Sequence, residues 1–273
     1  EDFVGEHDDN ERLVLTLSAL PDECLLHWLE QGRKGRRDEY PVRMLWQCLI
    51  AKYVYRIAGY AELIRELRRN GSLRRVVGIA HVDQVPQAYH FSRLLKKLSS
   101  ARGLALLGEM FEQLVAQLTA ALPPMGRYLA VDATAVHAYS NETRRHKSDP
   151  DARWSARPKR QRRRGTEGGV QEYLDYWFGY QVHLVVDCAT ELPVGFEVTA
   201  ANENETNHFE PLLQQLHKKQ APLLSRLAAV VADAGYDSTK NCSFVLDELK
   251  ALPIIKMRLE KKCDPQQVYH GAT

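Results

Sequence analysis

Leu227-Ala228-Ala229-Val230-Val231-Ala232-Asp233-Ala234-Gly235-Tyr236 is an apolar run that ends on a carboxylate and a small-residue turn. Tyr128-Leu129-Ala130-Val131-Asp132-Ala133-Thr134 repeats the design earlier in the chain. Runs this apolar predict strands buried on both faces of a sheet, and a carboxylate at the C-terminal end of such a strand emerges where these sheets place their sites. If the two strands are neighbours, Asp132 and Asp233 can share a divalent cation. An Asp after a strand is also a common cap or turn residue. Here Gly235-Tyr236-Asp237-Ser238 offers a turn and then a separate cap at Asp237 or Ser238, which leaves Asp233 for a ligand.

Working outward, Gly179 to Asp187 and Leu192 to Thr199 read as a hairpin around residues 188–191, and Phe209 to Leu216 as an amphipathic helix. Ser238 to Lys250 reads as a helix and Pro253 to Met257 as the start of another strand. Three meandering strands followed by helix, strand, helix, strand predict a mixed α/β sheet with an antiparallel and a parallel side, the layout of a ribonuclease-H-like domain. The character changes at Pro123-Pro124. Before it, Pro41 opens a helix with Val42, Leu45, Trp46, Leu49 and Ile50 on one face, and helices follow at Ala88 to Leu98 and Ala101 to Leu118. The expected division is a helical, DNA-binding domain over 1–123 and a ribonuclease-H-like catalytic domain over 124–273.

A chain of 273 residues, 44% hydrophobic and 26% charged, is composed as an ordinary globular protein, and its net charge of +2 points to no partner. No apolar stretch reaches membrane-span length, since Leu104 to Leu122 is interrupted by Glu109 and Glu112. The acidic start lacks the features of a signal peptide. The five cysteines, Cys24, Cys48, Cys188, Cys242 and Cys263, form no Cys-x-x-Cys pair and suggest neither a disulfide framework nor a local zinc site. A cytoplasmic, nucleoid-associated protein is expected, with no membrane partner. The start without Met and the end at Thr273 suggest a fragment.

The strongest compositional anomaly is a basic insertion at 141–175. It holds Arg144, Arg145, Lys147, Arg157, Lys159, Arg160, Arg162, Arg163 and Arg164 among few acids. Read as a long loop following Asp132, it is expected to stay unfolded by self-repulsion until phosphates arrive, and to contact DNA beside the chemistry. In the helical region, Ala88 to Leu98 has the form of a recognition helix after a Pro-containing turn, with Arg93, Lys96 and Lys97 outward. His183 and His137 are expected to be structural, Tyr236 to pack, and Asn202, Glu203 and Glu205 to cap the helix at Phe209.

Five stretches in order carry a resemblance: Arg36 to Leu45; Phe91-Ser92-Arg93-Leu94; Val131-Asp132-Ala133-Thr134-Ala135-Val136; Gly179 to His183 with Leu192-Pro193-Val194; and Ala232 to Ser238. The chain resembles bacterial insertion-sequence transposases of the DDE type, in the branch with a helical N-terminal domain and a ribonuclease-H-like catalytic domain. The resemblance implies Asp132 and Asp233 as catalytic residues and as ligands of Mg²⁺ or Mn²⁺, metal-dependent DNA strand cleavage and strand transfer, double-stranded DNA with terminal inverted repeats as the partner, and a homo-oligomer on that DNA. The family's third acid, a glutamate with Tyr, Arg and Lys at helical spacing, has no match before Thr273, so little transposition is expected from this exact chain. The alternatives are an inactive remnant that only binds DNA, or another ribonuclease-H-like nuclease.

Overall fold

The computed structural model describes residues 9–31, 40–140, 149–162 and 170–257, with the backbone alone given for 158–162 and 170–172. The chain divides into two compact units, Glu1–Leu114 and Val115–Thr273.

The first unit is helical. Helices α1 (Asp9–Ala19), α2 (Glu23–Gln31), α3 (Val42–Val54), α4 (Tyr60–Arg69), α5 (Gly71–Val76) and α6 (Ala88–Leu98) precede the long α7 (Ala101–Ala121), which runs on into the second unit. Their inward stripes form one apolar cluster that includes Leu13, Leu25, Leu29, Trp46, Leu63, Leu67, Phe91 and Leu98. A buried side chain of this size contributes about 2 kcal/mol of transfer free energy. Phe91 stacks on Tyr60 with ring centroids 5.1 Å apart. Inside this apolar cluster, Trp46 Nε1 donates to Asp22 Oδ2 at 2.7 Å. Burial pushes the Asp22 carboxyl up from its ordinary range, while the Trp46 bond and the Arg43 charge pull it back.

The second unit is built on a six-stranded mixed sheet: β1 (Tyr128–His137), β2 (Arg153–Arg162), β3 (Val170–Asp187), β4 (Pro193–Ala200), β5 (Ala229–Ala232) and β6 (Leu252–Ile255). The C-terminal half of β3 lies antiparallel between β1 and β4, while β5 is parallel to both β1 and β6. The order β4-β3-β1-β5-β6, with the helix α8 (Glu205–Lys219) between β4 and β5, is the ribonuclease-H-like arrangement read from the element order. Helix α8 buries Phe209, Leu212, Leu213 and Leu216. After β5 come a single turn at Ala234–Tyr236 and, where a helix was expected over Ser238 to Lys250, an unbroken helical stretch from Thr239 to Glu248 whose second half, Phe244–Glu248, is π-helical. No helix among the described residues is long and apolar enough to cross a membrane.

Two expectations need correction. The strand at Asp132 neither ends at that residue nor is buried on both faces: it runs on to His137, and Leu129, Val131 and Ala133 are buried whereas Tyr128, Asp132 and Thr134, on the other face, are exposed. The exposed side continues through Phe196, Val198, Leu252 and Ile254, so the sheet is covered on one face over these strands. The short central β5 keeps Ala229, Val230 and Ala232 buried, as its unbroken apolar run requires.

The basic insertion, in turn, is not wholly a loop. Arg153 to Arg162 pairs residue by residue with Val170 to Gly179, making a two-stranded ribbon that extends β3 beyond the sheet. Strand-favouring aromatic residues on β3 explain it: Tyr173, Tyr176, Trp177 and Phe178 supply cross-strand partners, and Trp154 lies 5.6 Å from Phe178 between ring centroids. Gly179 is the crossing point where β1, β2 and β3 meet, and a Cβ there would strike Val136 O and come within 2.7 Å of Ala138 N.

Candidate active site

Parallel pairing of β1 with β5 sets Val131 opposite Ala232, so the next residues, Asp132 in the middle of β1 and Asp233 just past β5, stand side by side where β5 ends and β1 runs on. Both are exposed. Asp132 Oδ1 accepts the N–H of Ala133 at 2.7 Å, and Asp233 Oδ1 accepts the N–H of Gly235 at 2.8 Å. Asp233 therefore does cap the turn at Ala234–Tyr236, contrary to the reading that spared it, because that turn begins at once after β5 and its N–H groups need an acceptor. Ser238 caps the following helix. The second carboxylate oxygen of each aspartate has no hydrogen-bond partner among the described residues.

A third carboxylate reaches this place from α8. Asn204 is the cap of that helix, accepting from Thr206 N at 3.1 Å, which leaves Glu205, expected to share in the capping, free for other contacts. Glu205 Oε1 accepts from Arg157 Nη2 at 3.0 Å and from Gln181 Nε2. Burial raises the Glu205 pKa; the Arg157 charge works against this, and the charges of Asp233 and Asp132 reinforce it. Gly235 makes the close approach of acids possible. A Cβ at that residue would stand within 2.9 Å of both Glu205 Oε2 and Asp233 Oδ1.

Arg157, one of the cations assigned to DNA, is thus engaged at the acidic end of the sheet: besides Glu205 it donates to Ala133 O at 3.2 Å and lies 5.3 Å from the centre of the Trp177 ring. The backbone of Lys159, Arg160 and Arg162 continues β2 away from this point, and their side chains are outside the described residues. Arg144, Arg145, Lys147, Arg163 and Arg164 also lie outside the described residues. On α6, in the other unit, Arg93 and Lys96 are exposed. Lys97 instead donates to Leu29 O and sits 5.1 Å from the Trp28 ring.

Under the carboxylates lies a buried polar layer. His183 is 0% exposed and is bracketed by Tyr236 OH at 3.3 Å and Thr199 Oγ1 at 3.1 Å. Its ring stacks on His208 at 4.8 Å. Burial, then the neighbouring His208 and Arg157 charges, push its pKa down to about 4, so the imidazole is neutral near pH 7. The Tyr236 phenol is pushed up by burial and by the charges of Glu205, Asp132 and Asp233. Thr206 Oγ1 donates to Gly235 O at 2.8 Å, and Asn241 Nδ2 donates to Thr206 O and Tyr236 O at 3.2 and 3.0 Å. These bonds pin the start of α8 to the turn that carries Asp233. His137 is exposed at the far end of β1.

The family model for the transposase DDE domain matches residues 123–270, more than half of the chain. The chain belongs to the DDE transposase family. Residues 7–97 match a second model of the same kind, a transposase domain (DUF772). Among solved structures, this DDE transposase chain is similar to the piggyBac transposase in a synaptic complex with hairpin DNA: 12% identity and TM-score 0.39, over 96% of this chain and 53% of that one. It is also similar to the Mos1 transposase in a paired-end complex with the left transposon end: 12% identity and TM-score 0.26, over 82% of this chain and 60% of that one. It thus spans little more than half the length of either. No curated protein matches it significantly.

The family generally uses divalent metal. The donors present fit a hard divalent cation: two carboxylates side by side, each with an uncommitted oxygen and little else to relieve their like charge. Among the described residues no three His, Cys, Asp or Glu side chains form a ready metal-binding group. The third acid nearby, Glu205, is tied to Arg157.

Proposed function

We propose that this chain carries the end-processing centre of a DNA transposase: metal-dependent hydrolysis at the end of the mobile element, followed by attack of the freed 3′-hydroxyl on target DNA. The observation that carries the reading is the parallel register that sets Asp132, midway along β1, beside Asp233, the residue just past the end of β5. Family membership supports it. Asp132 and Asp233 are the catalytic residues and hold Mg²⁺ or Mn²⁺. The bound ion supplies charge neutralisation at phosphorus and a more acidic attacking water.

The chain's own groups do the rest. One oxygen of each aspartate is fixed by a backbone N–H, which sets its carboxylate plane and leaves the other oxygen for the ion. Arg157, with a planar guanidinium next to Ala133, is placed to take a phosphate of the bound strand. The partner is double-stranded DNA with terminal inverted repeats, held by Lys159, Arg160 and Arg162 of the ribbon, by Arg144, Arg145, Lys147, Arg163 and Arg164, and by Arg93, Lys96 and Lys97 of the helical domain. The domains are 1–123 and 124–273, and the chain works as a homo-oligomer on DNA in the nucleoid.

The test is cleavage of a duplex carrying the element's own terminal repeat, with Mg²⁺ or Mn²⁺, by the wild type and by Asp132→Asn and Asp233→Asn. Either substitution is expected to lower the rate about a thousandfold, a loss of several kcal/mol of charge stabilisation, while DNA binding persists. Cleavage that survives both substitutions sinks the reading, and binding without any wild-type cleavage leaves the remnant that only binds DNA.

A further inference from the structure

Glu205 belongs to no part of the activity described above, yet it is held beside it with care. Its Oε2 and Asp233 Oδ1 both lie within 2.9 Å of the place that a Cβ on Gly235 would take. The Thr206–Gly235 and Asn241 bonds fix this approach through backbone atoms, so it does not depend on the Arg157 contact. On the other side, Oε1 is occupied by Arg157 and Gln181.

The group that can leave is Arg157. Its side chain is 38% exposed, it comes from the basic strand, and its remaining contacts among the described residues are one carbonyl and one ring face. A phosphodiester offers a guanidinium two acceptor oxygens in fork geometry, a better match than a single carboxylate oxygen already shared with an amide. Beside the pair is a cleft of about 200 Å³ lined by Arg157, Trp177, Gln181, Asn204 and Glu205. Gln181, 3% exposed, lines it with an Oε1 that has no hydrogen-bond partner. A buried acceptor left open is completed by a guest in the cleft, whether water or a DNA group.

We propose that the Arg157–Glu205 pair is a latch operated by DNA: without DNA, Arg157 holds Glu205 Oε1 and compensates the charge of the carboxylate, and a phosphate that takes the guanidinium releases Glu205, charged, to serve beside Asp233 as a further oxygen donor to the divalent ion. The inference rests on the metal site proposed at Asp132 and Asp233. It makes metal affinity and DNA binding mutually reinforcing, as linkage requires.

The test is a double-mutant cycle on Mn²⁺ affinity, read as free Mn²⁺ by electron paramagnetic resonance on the full chain without DNA. Glu205→Gln in the wild-type background is expected to change affinity little, because the latch is closed. Arg157→Gln is expected to tighten Mn²⁺ binding about tenfold, the size of effect seen when groups around metal ligands change, and Glu205→Gln added to it is expected to cancel the gain. Equal effects of Glu205→Gln in both backgrounds mean simple charge additivity and overturn the latch. A loss of DNA-free affinity in Glu205→Gln alone also overturns it, since Glu205 would then be a ligand already.

Should Arg157→Gln not fold, the wild type and Glu205→Gln are compared with and without a duplex. A duplex-induced gain in Mn²⁺ affinity that needs Glu205 supports the latch, and a gain that does not need it overturns the latch. Asp132→Asn separates the two levels: Mn²⁺ binding that survives it removes the metal site itself, whereas loss of binding with no Glu205 effect removes only the latch.

Discussion

Beneath α3 and α6 the helical unit buries leucines, valines and aromatic rings, with Trp46 and Asp22 as a polar pair within them. The sheet unit buries Gln181, His183 and Asn241 on the side of Asp233, and Asp187 at the opposite end of β1, beside its apolar residues. The first kind of core is non-directional and scales with area. The second is directional and costly to leave unsatisfied, but it fixes where things point. Asp187 shows the balance. Burial works against its charge, yet the N–H of Gly126 and the N–H and hydroxyl of Thr190 together hold its pKa below the usual carboxylate range. The contrast places the demand for orientation in the unit that bears the carboxylates.

The contrast can be broken from either side. The largest effect is expected in the apolar core: Phe91→Ala should cost about 4 kcal/mol by cavity formation, measured by denaturant unfolding, and a loss under 1 kcal/mol would show that this core is not tightly packed. Next comes acid. His183 has its folded pKa depressed to about 4 from an ordinary 6.5, so the unfolded chain binds the extra proton first. Stability should therefore be full above about pH 6.5 and fall steadily towards pH 4, by about 3 kcal/mol in all. His183→Gln should remove that slope in a pH series of melts, and a wild-type curve flat between those values would break the assignment. The smallest effect is Tyr236→Phe, which removes one bond to His183 and should cost about 1 kcal/mol. A cost of several kcal/mol would show that the polar layer acts as a coupled unit.

The sheet was legible because a buried strand must be apolar and its end must stop being so. That alone singles out Asp132 and Asp233 in the sequence. Glu205 was hidden by its neighbours. It follows Glu203 and Asn204 at a helix start, where one acidic or amide side chain serves as cap, and sequence does not say which. The separating signal was present in Gly235, two residues past Asp233, whose missing side chain makes room for a second carboxylate. The ribbon was obscured differently. Its charge density suggested an unfolded loop, while the strand preference lay in Tyr173 to Phe178 of the returning arm. The one-sided covering of β1 was unreadable from its composition, since Ala130 and Thr134 suit either environment.

Strand β3 runs unbroken from Val170 in the ribbon to Asp187 in the sheet, and along its second half it is paired with β1 at every residue from Leu129 to His137. At Gly179 the two strands are pressed together too closely for a methyl group. The ribbon and the strand that bears Asp132 thus share one backbone partner, and a side chain introduced at Gly179 would disturb both at once.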